Sequence, residues 1–354
     1  MKQEIRFCKS ADGTGIAYAL SGSGTALLRS QQWITHLEHD ATSPVWLPML
    51  TELNRRFRVV RFDQRGVGLS DARPADISFE AWMKDLEAVA DAAGLERFAL
   101  LGASQGGAMA VAYAARHPER VSHLLLLGTY ARGWNRRGSS PEALERARTL
   151  EKLIQVGWGT EEAMFRQVFT SGFMPGASLE QQQSFNDMMR ISAPAETAAR
   201  VYRAFGEIDV QEEARRIACP CLVAHAREDL RVPFAEGRHL ATLIPGARFL
   251  PLESPNHVLA EHEPAWRVFF DAMDAFIPPG GVAGFPQLTA REREVLDLVA
   301  RGLDNAQVAA RLELSEKTVR NHITRIFDKI EVENRSQAIV AARKAGLGGE
   351  NVPQ

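Results

Sequence analysis

Residues Gly102-Ala103-Ser104-Gln105-Gly106 leave the chain little freedom, because an apolar run, Phe98 to Gly102, leads straight in and a helical stretch, AMAVAYAAR, leads out. A strand that becomes a helix within two residues needs a sharp turn at Ser104, and small flanking residues let that turn form. Strand–turn–helix units of this kind build parallel sheets, and the rest of residues 1–276 alternates in the same way. Phe57–Phe62, Leu124–Gly128, Cys221–His225 and Arg248–Leu252 are short apolar runs suited to buried strands, with helical stretches between most of them. The expected fold class is α/β.

A serine exposed on such a turn becomes a nucleophile only with a base and an orienting carboxylate, which in this arrangement follow in the order serine, acid, histidine. Asp229, in AREDLRVP, comes just after the Cys221 run, and His257, in ESPNHVLAEHEPAW, just after the Arg248 run. Ser104, Asp229 and His257 are therefore the candidate catalytic residues, or a polar cluster of the same origin used for binding alone. Glu228, beside Asp229, is read as solvent-facing, His225, His239 and His262 lack the motif context of His257, and Asp63 and Arg65 are read as bracing a turn. His36, His39 and Asp40 are too loosely spaced for a ligand set, so no metal is assigned, and no cofactor.

With the Asp63-Gln-Arg65-Gly66-Val-Gly68-Leu-Ser70 segment and Ala115-Arg-His-Pro-Glu-Arg-Val121, these motifs make residues 1–276 resemble the α/β-hydrolase superfamily. The resemblance implies a mostly parallel sheet with a helical cap, here the insertion at about 132–213, rich in Trp134, Trp158, Phe165, Phe169, Phe173, Met188, Met189, Tyr202 and Phe205. One departure bears on catalysis. Many relatives carry His-Gly before the first helix, where this chain has Arg29-Ser-Gln-Gln-Trp33. The oxyanion-hole donors implied by loose alignment are the backbone N–H groups of Gln105 and Trp33.

Residues 288–347 obey a different period. Thr289 and Glu292 form a capping-box start, Val295, Leu296, Leu298 and Val299 give a buried stripe, and Gly302 stops that helix. Asp304 or Asn305 opens a second helix through Val308, Ala309 and Leu312. In a third, starting at Ser315, Val319, Ile323, Ile326 and Ile330 face inward while Lys317, Thr318, Arg320, Asn321 and Arg325 lie on other faces. Those outward types meet phosphates and base edges, which makes them the candidate DNA-binding residues. The segment resembles the LuxR-type helix-turn-helix domain, with Val308 in place of the usual Ile, and Ile330 with Glu331 where Leu is usual. The resemblance implies that the Ser315 helix enters the major groove and that a fourth helix, about Ser336 to Ala345, offers a dimer surface.

The chain has 354 residues, 45% hydrophobic, and a net charge of −2, which suits one large core plus a small module and excludes a bulk nucleic-acid coat. Residues 288–347 carry a net charge of only about +2, so attraction to phosphate has to come from local clustering. The start, MKQEIRFCKS, has no apolar signal region and no run is long enough for a membrane, so a cytoplasmic protein is expected. Cys8, Cys219 and Cys221 are read as reduced thiols, and IPPGGVAGFPQ, residues 277–287, as a linker. The expected function is a DNA-binding regulator, a homodimer on a promoter or operator, whose hydrolase-like domain senses a small, largely apolar ligand. The alternatives are a serine esterase or lactonase with a fused DNA module, or a receptor that hydrolyses its signal.

Overall fold

The computed structural model describes residues 2–30, 32–277, 285, 288–312, 314–345, 347 and 348. The chain divides into two compact units, the first holding Met1–Gly22 and Ala26–Phe276 and the second grouping Ser23–Thr25 with the residues from Ile277 onward. Apart from Ile277 and Phe285, the expected linker lies outside the described residues.

Eight strands build the first unit: β1 (Glu4–Lys9), β2 (Gly15–Gly22), β3 (Thr25–Arg29), β4 (Phe57–Phe62), β5 (Phe98–Ala103), β6 (Val121–Leu127), β7 (Cys221–Ala226) and β8 (Arg248–Leu252). They form one sheet in the order β1-β2-β4-β3-β5-β6-β7-β8. From β3 through β5, β6 and β7 to β8 every pair is parallel, whereas β2 runs antiparallel to both β1 and β4. The apolar runs land in the sheet as expected. β7 is buried along its whole length, as a strand covered on both faces should be.

The helix Gln105–Arg116 packs under the sheet with every residue from Gln105 to Ala114 buried, which fixes the centre of the fold directly behind β5. Its Ala- and Gly-rich sequence lets it approach the strands closely. Between β6 and β7 four helices, Pro141–Gly157, Met164–Phe173, Leu179–Ser192 and Ala195–Gly206, form the cap, followed by a short fifth, Gln211–Arg215. Ser140 caps the first of these, and Ser178 with Gln181 makes a capping box on the third. Trp33 is the hub of the cap's aromatic packing: its ring lies 5.3 Å from Trp158, 5.4 Å from Phe169 and 5.7 Å, stacked, from Phe173. Contacts of this kind add about 0.5–1.5 kcal/mol each beyond burial. The three cysteines are free, and burial pushes the Cys219 thiol up to about 11.

The second unit is four helices, Ala290–Ala300, Asn305–Leu312, Glu316–Ile330 and Arg335–Lys344. Val295, Leu296, Val299, Val308, Val319, Ile323, Ile326 and Ile330 meet in its core, joined by Ala338 and Ala342 of the last helix. The expected capping box forms, with Thr289 Oγ1 accepting from Glu292 N at 3.3 Å and Glu292 Oε2 from Thr289 N at 2.8 Å. Of the two possible caps for the second helix it is Asp304 that serves, accepting from Gln307 N at 2.8 Å. Among the described residues no helix is long and apolar enough to cross a membrane.

Candidate functional site

Ser104 sits between β5 and the helix Gln105–Arg116 with φ 52° and ψ −128°. For a residue with a side chain this backbone costs roughly 1–3 kcal/mol and persists only where its surroundings enforce it. They do so from two sides. Ser104 N donates to Leu127 O at 3.0 Å, and Ser104 O accepts from Thr129 Oγ1 at 2.6 Å and Gly107 N at 3.0 Å. The neighbours have no room for side chains: a Cβ on Gly102 would stand 2.6 Å from Gly107 Cα, and one on Gly107 only 2.1 Å from Thr129 Oγ1.

Asp229, on the loop after β7, accepts through Oδ1 from Arg231 N at 2.7 Å and Val232 N at 2.9 Å. Its Oδ2 pairs with His257 Nδ1 at 2.6 Å. Burial pushes this carboxyl up, but the His257 charge and the converging donors outweigh it and hold the group below the usual carboxylate range. His257 itself is carried by the cap, because its N–H and that of Val258 donate to Phe173 O at 2.9 and 3.3 Å. His225, buried beside the pair, directs Nε2 to Val232 O at 2.9 Å and stands 3.6 Å from Asp229 Oδ2. Ser104 and His257 line the same two cavities, although among the described residues no hydrogen bond joins them.

Gln105 opens its helix, and Trp33 lies on the loop facing it. Among the described residues neither backbone N–H has a protein acceptor. The two loops are tied by Gln64, whose Nε2 donates to Trp33 O at 2.6 Å and whose Oε1 accepts from Gln105 Nε2 at 3.2 Å. Nothing in the Asp63-Gln64-Arg65 motif marks Gln64 for this bridging role. Three cavities converge on Ser104. Two are tight, about 20 and 30 Å³, enough for a water or two. The third, about 340 Å³, lies under Trp134, Tyr202 and Phe205 and contains Tyr130, Arg137 and Arg231. Of the nine cap residues singled out in the sequence, Trp134, Phe173, Met188, Met189, Tyr202 and Phe205 line cavities, while Trp158 and Phe169 are packed in the core.

The other polar residues weighed in the sequence are accounted for locally. His36 caps a short helix by accepting from His39 N at 3.4 Å, and Asp40 faces Arg61 at 3.8 Å. Asp63 accepts from Thr35 Oγ1 at 2.6 Å and from Leu69 N at 2.9 Å, and Arg65 grips Asp85 at 2.7 and 2.9 Å, so both brace the turn as expected. In the second unit Lys317, Arg320, Asn321 and Arg325 are exposed on the helix Glu316–Ile330. Among the described residues none of Lys317, Arg320 and Arg325 has a carboxylate within 4.0 Å. Thr318 is only half-exposed, with its hydroxyl 2.8 Å from that of Ser315, the helix cap. Lys329, by contrast, is bound at 2.6 Å to Glu292, whose carboxyl is held at about 2 by that contact and the Thr289 N–H.

Residues 40–264 match the family described as alpha/beta hydrolase fold, and residues 286–342 match the bacterial regulatory proteins of the luxR family. Among curated proteins the chain is 27% identical over 242 residues to RutD of Klebsiella pneumoniae, a candidate carbamate hydrolase, covering 66% of this chain and 87% of that protein. It is 26% identical over 243 residues to the pyrrolizixenacetamide deacetylase of Xenorhabdus hominickii, covering 68% and 86%. Among solved structures the enol-lactonase of Burkholderia xenovorans superposes with a TM-score of 0.57 at 27% identity, covering 77% of this chain and 99% of that one. The chain thus belongs to the α/β-hydrolase fold family, with a LuxR-type DNA-binding domain fused at its C-terminal side.

Proposed function

We propose that this protein is a DNA-binding regulator whose hydrolase-fold domain binds a small ester, lactone or amide and hydrolyses it. The observation that carries the reading is the enforced positive φ of Ser104, a backbone that a binding pocket alone has no need to maintain. In the proposed reaction Ser104 Oγ attacks the acyl carbon as His257 Nε2 takes its proton, and Asp229 holds the ring and stabilises the imidazolium. The Gln105 and Trp33 N–H groups receive the oxyanion. His257 returns the proton to the departing alcohol or amine, and water then releases the acid from Ser104 by the same steps. The hydrolytic relatives support the chemistry, and the LuxR-family match supports promoter binding.

On DNA, Lys317, Arg320 and Arg325 meet phosphates and base edges as a homodimer on a two-fold site. Two copies then neutralise at most about six phosphates, so the slope of log K against log salt is no steeper than roughly −5 from these residues. The test uses the full-length protein. A fluorophosphonate probe should label Ser104 and fail on Ser104→Ala, and Arg320→Ala should weaken promoter binding about 10–100-fold. Folded protein that the probe leaves unlabelled at Ser104 removes the hydrolytic step, and affinity for promoter fragments that ignores salt removes the DNA step.

A further inference from the structure

We infer that the compound this domain takes carries a carboxylate, held by Arg137 and Arg231 in the chamber beside Ser104. This rests on the reading that Ser104 receives a small carbonyl compound, and it specifies which class. The 340 Å³ chamber is lined by three arginines, Arg137, Arg146 and Arg231, and by no aspartate or glutamate. Among the described residues neither Arg137 nor Arg231 forms an ion pair, and the buried Nε of each has no hydrogen-bond partner. Nor does the Tyr130 hydroxyl, on a side chain that is 3% exposed. The nearby acids make their ion pairs elsewhere, Glu236 through Oε1 with Arg132 at 2.8 Å, its Oε2 left without a hydrogen bond, and Asp229 with His257 and two backbone N–H groups.

Both guanidinium groups lie over aromatic rings. Arg231 lies 4.7 Å from the Phe173 ring centroid and 5.8 Å from that of Phe169, with the Tyr202 hydroxyl hydrogen-bonded beside it, and Arg137 lies 5.4 Å from the Tyr130 ring. A guanidinium has five N–H donors, so one seated over a ring still has donors to offer a planar carboxylate. Two half-buried cations without an ion-pair partner are costly unless a ligand supplies one. The tight cavities on the other side of Ser104 have no room for a charged arm. The acyl carbon therefore meets Ser104 while the acidic arm extends into the arginine chamber, beneath the cap.

The decisive comparison is between p-nitrophenyl hydrogen glutarate and the neutral p-nitrophenyl pentanoate, with full-length protein. The ratio of kcat/KM for the acidic over the neutral ester should be about tenfold or more, and should fall by about that factor in Arg231→Met and Arg137→Met. Arg231→Lys should recover part of it, and a thermal melt identifies any variant that has failed to fold. A wild-type ratio at or below one overturns the proposal while leaving hydrolysis intact. Calorimetry with monomethyl glutarate on Ser104→Ala reads the anion site without turnover. Binding that weakens about tenfold on adding Arg231→Met supports it even if no ester is hydrolysed, and absence of binding to Ser104→Ala overturns it.

Discussion

A tight constraint at the candidate site falls on atoms that do no chemistry. Ser104 holds its backbone because Gly107 leaves room for Thr129, and Thr129 anchors the Ser104 carbonyl at 2.6 Å. A methyl group on Gly107 would meet Thr129 Oγ1 at 2.1 Å, so Gly107→Ala should cost about 1–3 kcal/mol in a urea melt and slow fluorophosphonate labelling. Full stability in that variant would show that the elbow yields freely. Ser104, Asp229 and His257 were legible in the sequence because each follows a strand within a few residues, and their order along the chain is fixed by the fold. Gln64, Tyr130, Arg137 and Arg231 were not. In a chain with 42 lysines and arginines, what distinguishes Arg137 and Arg231 is their place in the chamber beside Ser104 without an ion-pair partner among the described residues, a property of the tertiary structure that no local pattern records.

At the scale of elements, five of the eight strands could be read as apolar runs, while β1, β2 and β3 could not. β1, EIRFCK, is an exposed edge whose charges break the run, and β2, GIAYALSG, is diluted with small residues, so its antiparallel pairing with β4 had no sequence signal. The helix Glu316–Ile330 was legible down to its cap and its buried stripe. Its far end holds a surprise: Glu331, the residue noted as departing from the family pattern, ends the helix at φ 55° and ψ 48° in the left-handed region. Its N–H reaches Phe327 O, and Val332 N donates to the same carbonyl at 3.1 Å, a helix stop that ordinarily uses glycine. Glu331→Gly should therefore stabilise this unit by up to about 1 kcal/mol, seen as slower amide exchange through Phe327–Ile330. Faster exchange there would mean that the Glu331 side chain contributes more than its backbone costs.

For the whole molecule, fusing a hydrolase fold to a LuxR-type DNA-binding domain has, on the proposed function, a consequence that neither unit has alone. If an occupied Ser104 site changes promoter affinity by some factor, DNA changes ligand affinity by the same factor, since the two equilibria are linked. Under the proposed function hydrolysis acts as a clock, because cleavage of the occupant removes the signal that occupancy supplied. With net charge −2 over 354 residues the protein as a whole does not attract DNA, so the response has to act through the cations of one helix, where a modest change in presentation alters affinity steeply. Wild-type protein given a limiting dose of an ester it cleaves should show a shift in promoter affinity that decays at the rate of product release. In Ser104→Ala the shift should persist for as long as the ester survives in buffer. Decay at one rate in both proteins would uncouple the hydrolase from the regulator, leaving Ser104 a strained relic of an enzyme whose pocket no longer informs the DNA-binding helices.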